Sequence, residues 1–254
     1  MSNVALGIDI GGSGIKFGLV DILSGEMIGE RMKIDTPQPS TPDAVAVAIR
    51  DALSAIEWKG DKIGVGFPAI IMDGVSLTAA NIDKAWIGTN VEELLHRYTG
   101  HKYYVINDAD AAGMAERMYG RINHIKGTVL LLTLGTGIGS ALFYDGILIP
   151  NTEFGHIQYK GDIAENSVSN RARKERQLDY DSWAIELAAF LDYMILLLSP
   201  RLIVLGGGIS FRFEEFAHHF NHLRTPVVNA SAFNDAGIIG AAIAAYPELM
   251  EPFV

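Results

Sequence analysis

Apolar residues in this chain fall into short runs of strand length, broken by glycine-rich turns, and then into stretches with helical spacing. Residues 4–10, 15–20 and 27–34 predict three consecutive strands, joined through residues 11–14 and 23–25. The segment TPQPSTP, 36–42, predicts a loop. After it, apolar side chains at 45, 49, 52, 53 and 56 predict one face of a helix over 43–56. A strand is predicted over 62–70, a helix over 91–98 and a strand over 103–106 that runs into Asn107-Asp108. A helix over 109–119 then stops at Gly120. The order returns in the second half, with strands over 128–134, 140–143 and 147–149 and a long polar region over 151–177. A long amphipathic helix over 180–198 ends before Pro200, and a strand over 201–205 opens into Gly206-Gly207-Gly208. Helices over 213–223 and 236–246 close the pattern.

The pattern repeats because a phrase does. Residues 6–21 read LGIDIGGSGIKFGLVD, and residues 131–146 read LLTLGTGIGSALFYDG. Sliding the chain by 124 positions puts Thr133 on Asp9, Gly135 on Gly11 and Asp145 on Asp21. Each copy reads as a β-hairpin whose Gly/Ser/Thr turn can present bare backbone N–H groups. Two such hairpins can grip a chain of phosphates from both sides. A repeat of this size predicts two lobes of similar architecture with a cleft between them.

Composition narrows the function. The 254 residues suffice for two modest lobes or one large domain, and at 49% hydrophobic they can form a sizeable core. No apolar run approaches the ~18–20 residues of a membrane span, and the N-terminus lacks the basic and apolar stretches of a secretory signal. There are no cysteines, so disulfides, thiolate zinc sites and cysteine nucleophiles are excluded. A cytoplasmic enzyme is the expected class. The net charge of −10 argues against general nucleic-acid binding. It also requires that a polyanionic substrate meet a local basic patch.

Candidate chemistry gathers at the turns. Asp9 ends a strand two residues before Gly11-Gly12-Ser13-Gly14. A carboxylate there is costly to bury alone; its partner beside a phosphate loop is hydrated Mg²⁺, unless it merely caps its own turn. The spacing is not the dinucleotide fingerprint, because Gly11, Gly12 and Gly14 do not fit it and no helix follows. Lys16 is either a phosphate contact or a solvated strand lysine. In the second turn Thr133 and Thr136 add hydroxyls to the amides of Gly135 and Gly137. Asn107 and Asp108 stand where a strand gives way to a helix, the kind of switch point at which α/β proteins keep ligand chemistry. Asp110 is the expected helix cap, which leaves Asp108 to take a proton from an alcohol. Glu153 and His156 suit sugar hydroxyls better than zinc, since no third and fourth ligand is evident. Arg171, Arg173, Lys174 and Arg176 put four positive charges within six residues of an acidic chain. They read as a solvated helix face or as a track for a long polyanion.

The motifs IDIGGSGIK (8–16), NDADAAG (107–113), LTLGTGIGSALFYDG (132–146), NTEFGH (151–156), GGG (206–208), RTPVV (224–228) and NDAGIIGAA (234–242) occur in that order along nearly the whole chain. With them the chain resembles the ROK-type sugar kinases of the actin-like ATPase superfamily, and within these it is most similar to the polyphosphate glucokinases. The resemblance implies an α/β, two-lobed actin-like ATPase (ribonuclease H-like) fold, each lobe a mixed sheet of β-β-β-α-β-α type. It implies a small lobe over 1–107, a large lobe over 108–242 and a terminal helix, about 243–254, packed back on the first. It implies transfer of a phosphoryl group from polyphosphate, with ATP as a second donor, to the 6-hydroxyl of glucose. Asp108 is then the base, Asp9 faces Mg²⁺ through water, and Asn81, Asn107, Asp108, Glu153, His156 and Glu165 hold the sugar. Gly11, Gly12, Ser13, Gly14, Lys16, Thr133, Gly135, Thr136, Gly137, Gly207 and Gly208 face the donor. A homodimer is implied.

Ordinary members of the superfamily carry a cysteine-rich zinc motif after the Glu-x-Gly-His element. Here that stretch is HIQYKGDIAENSVSNRARKER, which contains Glu165 and no cysteine, so no structural zinc is expected. The competing readings are an ATP-dependent hexokinase for glucose, mannose or another hexose, and a non-catalytic sugar-binding regulator. A helix-turn-helix regulator is disfavoured because the first hairpin begins near residue 4. A filament or chaperone ATPase is disfavoured because 254 residues cannot hold its extra subdomains.

Overall fold

A computed structural model describes residues 3–60, 62–231 and 235–249. The first stretch runs β1 (Val4–Ile10), β2 (Gly14–Asp21), β3 (Met27–Asp35), α1 (Pro42–Ile56), β4 (Lys62–Phe67), β5 (Ile71–Met72), β6 (Val75–Ser76), α2 (Val91–Thr99), β7 (Lys102–Asn107) and α3 (Asp108–Tyr119). There follow β8 (Thr128–Leu134), β9 (Ile138–Tyr144), β10 (Ile147–Ile149), β11 (Gln158–Tyr159), β12 (Asp162–Ile163), α4 (Glu165–Val168), α5 (Asn170–Glu175) and α6 (Tyr180–Leu198). The chain ends through β13 (Leu202–Gly206), α7 (Phe213–Phe216), β14 (Val227–Asn229) and α8 (Ala236–Ala244).

Among the described residues, 3–115 with 235–249 form one compact unit and 116–231 form the other. The division falls inside α3, after Ala115, rather than at the expected 107/108. The chain rejoins the first unit at 235, ahead of the expected 243, because α8 packs on β1 and β4. There Gly7 and Gly64 meet the backbone of Ile238 and Ala241 so closely that neither has room for a Cβ. Residues 250–254 of the expected terminal helix lie outside the described residues, as does Asn234.

The two units share one topology. The first sheet has the order β3-β2-β1-β4-β7 and the second β10-β9-β8-β13-β14. In each, two antiparallel pairings give way to two parallel ones. The mixed α/β fold expected from the sequence is therefore the one observed. The apolar runs pack as the alternation demands. Leu6, Ile8, Ile10, Ile15 and Phe17 bury against Val45, Ile49 and Leu53 of α1 and against Trp86. Leu130, Leu132 and Leu134 bury against Trp183, Leu187, Phe190 and Met194 of α6. Thr41 caps α1 by accepting the Ala44 N–H, with Pro42 at its first position.

Several expectations shift. β1 and β2 pair to Ile10↔Ile15, but β8 and β9 pair to Leu134↔Ile138, so the second turn is one residue shorter. The repeat therefore slips beyond the turn. Tyr144 sits opposite Thr128 as Asp21 sits opposite Val4, so Tyr144, not Asp145, is the counterpart of Asp21. The polar region 151–177 holds the β11–β12 ribbon and the short helices α4 and α5. The helix expected over 213–223 is a single α-turn followed by 3-10 backbone over Ala217–Phe220. Its phenylalanines pack edge to face (Phe213–Phe216 and Phe216–Phe220), and this cluster overrides helical propensity.

Candidate active site

In the first unit, Asp9 and Lys16 are opposite one another across the β1–β2 hairpin. Lys16 Nζ lies 2.7 Å from Asp9 Oδ2, and the carboxylate is only 17% exposed. The ion pair offsets the cost of bringing that acid out of water. Gly11 N–H donates to Gly14 O at 3.0 Å and closes the turn. Thr36 Oγ1 donates to Gly11 O at 2.6 Å and Gln38 Nε2 to Gly12 O at 3.3 Å, so side chains take two carbonyls that would repel an anion. Ser13 is exposed at the tip. Gly12 packs on the backbone carbonyl of Asn81, which brings Asn81 to this turn. Gly237 of α8 lies against the Asp9 carboxylate, close enough that a Cβ would sit 2.9 Å from its carbon. Neither Thr36 nor Gln38 carried a sequence signal beyond its place in a polar loop.

Asp9 pairs with Gly66 of β4, and Phe67 pairs with Asn107 of β7. The parallel strands thus end at one edge, with Asp9 and the 107–108 corner two strand spacings apart, about 10 Å. Asn107, not Asp110, caps α3. Its Oδ1 accepts the N–H groups of Ala109 at 2.8 Å and Asp110 at 3.1 Å, and its Nδ2 donates to Ala69 O at 3.1 Å. Asn107 is buried, so its amide builds the corner that presents Asp108. Asp108 is half-buried in the first turn of the helix and accepts the Ala109 N–H at 2.8 Å.

In the second unit, Thr133 pairs with Gly139 across the hairpin and with Gly206 across the parallel pair. The place held by an ion pair in the first copy is thus uncharged here. Gly135 N–H donates to Gly137 O at 3.0 Å, and Thr136 is exposed at the tip as Ser13 is. Gly207, at φ +81°, lies against Leu134, so Gly207 and Gly208 stand beside this turn.

Three of the sugar candidates, Glu153, His156 and Glu165, gather near the same turn. Ser140 Oγ donates to Thr152 O at 2.6 Å and accepts the Phe154 N–H at 3.0 Å, which fixes the entry to Glu153. Gly155 packs on the Ile138 carbonyl with no room for a side chain. His156 Nδ1 is 3.2 Å from Glu153 Oε2, and its Nε2 is 3.7 Å from Glu165 Oε1. Burial pushes the Glu153 carboxyl above its ordinary range; His156 partly offsets this, and Glu165 adds to it. Glu165 faces both ways. Its Oε2 accepts the Ile138 N–H at 3.2 Å, and Gly137 touches the same oxygen.

The four basic residues separate. Arg176 makes a bidentate pair with Glu186 at 2.7 Å, and Arg173 is held by Asn170 Oδ1, Leu178 O and the Tyr180 ring. Arg171 donates its backbone N–H to Gly135 O at 3.1 Å, and its guanidinium is 3.9 Å from Glu165. Lys174 is exposed. Arg173 and Arg176 are thus held by neighbouring oxygens, Arg171 stands near Glu165, and Lys174 is left exposed.

Comparisons with known proteins identify the chain's relatives. The sequence pattern of the ROK family matches residues 5–172. Polyphosphate glucokinase of Mycobacterium tuberculosis (strain CDC 1551 / Oshkosh) is 45% identical over 239 residues, covering 94% of this chain and 89% of that protein. The polyphosphate glucokinase of Mycobacterium leprae (strain TN) is 43% identical over 94% of this chain and 73% of its own length. Among solved structures, the inorganic polyphosphate/ATP-glucomannokinase of Arthrobacter sp. strain KM superposes with a TM-score of 0.92 at 45% identity, over 96% of this chain and 99% of that one. A ROK family glucokinase of Streptomyces griseus, solved with glucose and AMPPNP, shares the fold at a TM-score of 0.80 and 23% identity, over 95% of this chain and 99% of its own.

Proposed function

The chain belongs to the ROK family, and on that premise we propose that it is a kinase transferring a phosphoryl group from inorganic polyphosphate to the 6-hydroxyl of glucose. One observation carries the donor and acceptor: relatives named polyphosphate glucokinase are 43–45% identical over 94% of the chain. ATP is a second donor, supported by the name of the Arthrobacter relative and by the Gly207–Gly208 loop beside the second turn.

Asp108 takes the proton from the sugar 6-hydroxyl. The oxygen bonds to the terminal phosphorus, and the bridging oxygen leaves with the shortened polyphosphate. Positioning and charge neutralisation supply most of the acceleration in such a transfer, so a carboxylate suffices as base. Asn107 positions Asp108 by capping α3. Asn81, Glu153, His156 and Glu165 hold the sugar hydroxyls, Glu165 also tying them to the donor turn. Gly11, Gly12, Ser13, Gly14, Thr133, Gly135, Thr136 and Gly137 hold phosphates through amides and hydroxyls. Lys16 moves from Asp9 to phosphate when the donor arrives.

Mg²⁺ fits Asp9: an oxygen ligand at a strand end, with one carboxylate oxygen bound to Lys16 and the other available for a hydrated hard cation. When bound, the ion neutralises charge on the donor phosphates. A cytoplasmic location belongs to the same reading; no described helix is long and apolar enough to cross a membrane. So does a homodimer, supported by the exposed Ile185, Leu196 and Leu197 of α6.

The test is glucose 6-phosphate formation measured in parallel with polyphosphate and with ATP. Activity with polyphosphate is expected to exceed that with ATP. In Asp108→Asn turnover should fall roughly 10²–10⁴-fold with either donor while glucose binding by calorimetry persists. A variant with near-normal turnover removes Asp108 as the base. Absence of activity with both donors removes the reading.

A further inference from the structure

Outside that machinery, three metal-type side chains converge on the second unit. Asp181 lies in the first turn of α6, and His218 and His219 lie in the 3-10 segment Ala217–Phe220. His219 Nε2 is 2.9 Å from Asp181 Oδ1, and His218 Nε2 is 3.5 Å from the same oxygen. The two imidazole rings stand 4.1 Å apart at 39°. One donor atom from each residue lies within 4.8 Å of the others.

We propose that Asp181, His218 and His219 form a binding site for a divalent transition ion of the zinc type. The spacing is the first argument. Ligand atoms at ~2.0–2.1 Å around a tetrahedral ion lie ~3.3–3.4 Å from one another, and the two measured separations bracket that edge. The donor set is the second. Two imidazoles and one carboxylate suit zinc-like ions and are poor ligands for Mg²⁺, which prefers oxygen and water. The third is that a single ion pair needs only one histidine, whereas both rings here offer Nε2 to one carboxylate oxygen. Three protein ligands leave a fourth position for water, and the exposed setting of Asp181 and His218 admits it.

The ion would staple two segments that already share a core. Trp183 of α6 packs edge to face on Phe216, and Phe216 on Phe220. Binding therefore stabilises the second unit and leaves the phosphoryl-transfer residues untouched.

The experiment is equilibrium dialysis of the full chain, stripped with chelator, against Zn²⁺, with thermal unfolding and the Co²⁺ absorption spectrum alongside. The wild type should bind one equivalent, show a tetrahedral Co²⁺ spectrum and melt higher with Zn²⁺. Asp181→Asn, His218→Gln and His219→Gln should each lose about tenfold or more in affinity and lose the melting shift. His222→Gln, two residues beyond that segment, should keep both, and millimolar Mg²⁺ should not displace the ion. Glucose phosphorylation without Zn²⁺ reports that each variant is folded. The site is overturned by an octahedral Co²⁺ spectrum on the wild type, by affinity unchanged in the three ligand variants, or by an equal loss in His222→Gln.

Discussion

The β1–β2 and β8–β9 turns descend from one pattern but reach their charge by opposite routes. The first carries its own ion pair, Asp9 with Lys16, opposite each other in the ladder. The second has Thr133 and Gly139 at the matching pair. Its charged contact comes from later in the chain, Glu165 on the Ile138 N–H, while the Arg171 backbone N–H donates to the Gly135 carbonyl. The first turn is therefore locally self-sufficient, while the second depends on α4 and α5. That difference assigns them different work. On the proposed function, a turn with a fixed carboxylate suits a hydrated cation and its phosphates, and a turn braced by a glutamate beside His156 is expected to couple phosphate to sugar.

The largest effect should come from breaking that asymmetry. Asp9→Asn removes the charged acid paired with Lys16 and leaves that lysine without this partner. Turnover should fall at least about 10²-fold, the scale of a lost electrostatic stabiliser, and the Mg²⁺ requirement should rise. Thr133→Val, at the matching place, removes one neutral hydroxyl and should cost about tenfold or less, as for one hydrogen bond. Mg²⁺ titrations of steady-state rate compare the two. Equal losses would mean that the turns share the metal role.

The next effect is structural. Gly12→Ala drives a Cβ into the backbone carbonyl of Asn81, which cannot yield without moving its loop. The cost should be about 1–3 kcal/mol, as for other overpacked sites. Gly137→Ala meets only the carboxylate end of Glu165, which can swing away at the loss of the Ile138 hydrogen bond, about 1 kcal/mol. Urea unfolding can separate them, because Trp58 and Trp86 report the first unit and Trp183 the second. If Gly137→Ala is as damaging as Gly12→Ala, Glu165 is clamped rather than yielding. Gly137→Ala should also raise the Michaelis constant for glucose, since Glu165 leaves His156.

The same asymmetry explains what the sequence made legible. The strands, both glycine turns and the Asp9–Lys16 hairpin follow from alternation and spacing within about ten residues. The parallel sheet edge that aligns Asp9 with the 107–108 corner needed only the α/β order. What stayed hidden are contacts across longer gaps. Asn107 as the α3 cap was masked by two equally good acidic caps beside it. Glu165 as a brace for a turn 27 residues earlier left no periodic trace, because α4 has four residues. That the four basic residues meet different partners is equally invisible, because sequence does not show that Glu186 and Tyr180 face two of them. The one-residue slip after the second turn was hidden because Asp145 follows Tyr144 and offered a false match to Asp21.

The smallest effect tests the cost of the second turn's borrowed acids. Among the described residues, the ion-pair partner of Glu153 is His156 rather than a lysine. Burial raises its carboxyl above the ordinary range, with His156 offsetting part of the shift and Glu165 adding to it. A raised folded value means that the folded chain holds this proton when the unfolded chain has released it. Between the ordinary glutamate range and the raised value, the folded state therefore binds more protons, and stability falls as pH rises. The contribution is complete below the ordinary range and gone above the raised value. Glu153→Gln cannot ionise, so without sugar it should melt slightly higher than the wild type at neutral pH and lose part of the wild type's decline across that window. Glu165→Gln should flatten the decline partly, and His156→Gln should steepen it, since each removes one neighbour acting on Glu153. Glu153→Gln should weaken glucose binding in calorimetry while leaving polyphosphate binding intact. Melting curves of the three variants from the acid side to neutrality decide the matter: an unchanged slope in Glu153→Gln would mean that the second turn carries its acids at no cost and that burial of Glu153 is not what tunes them.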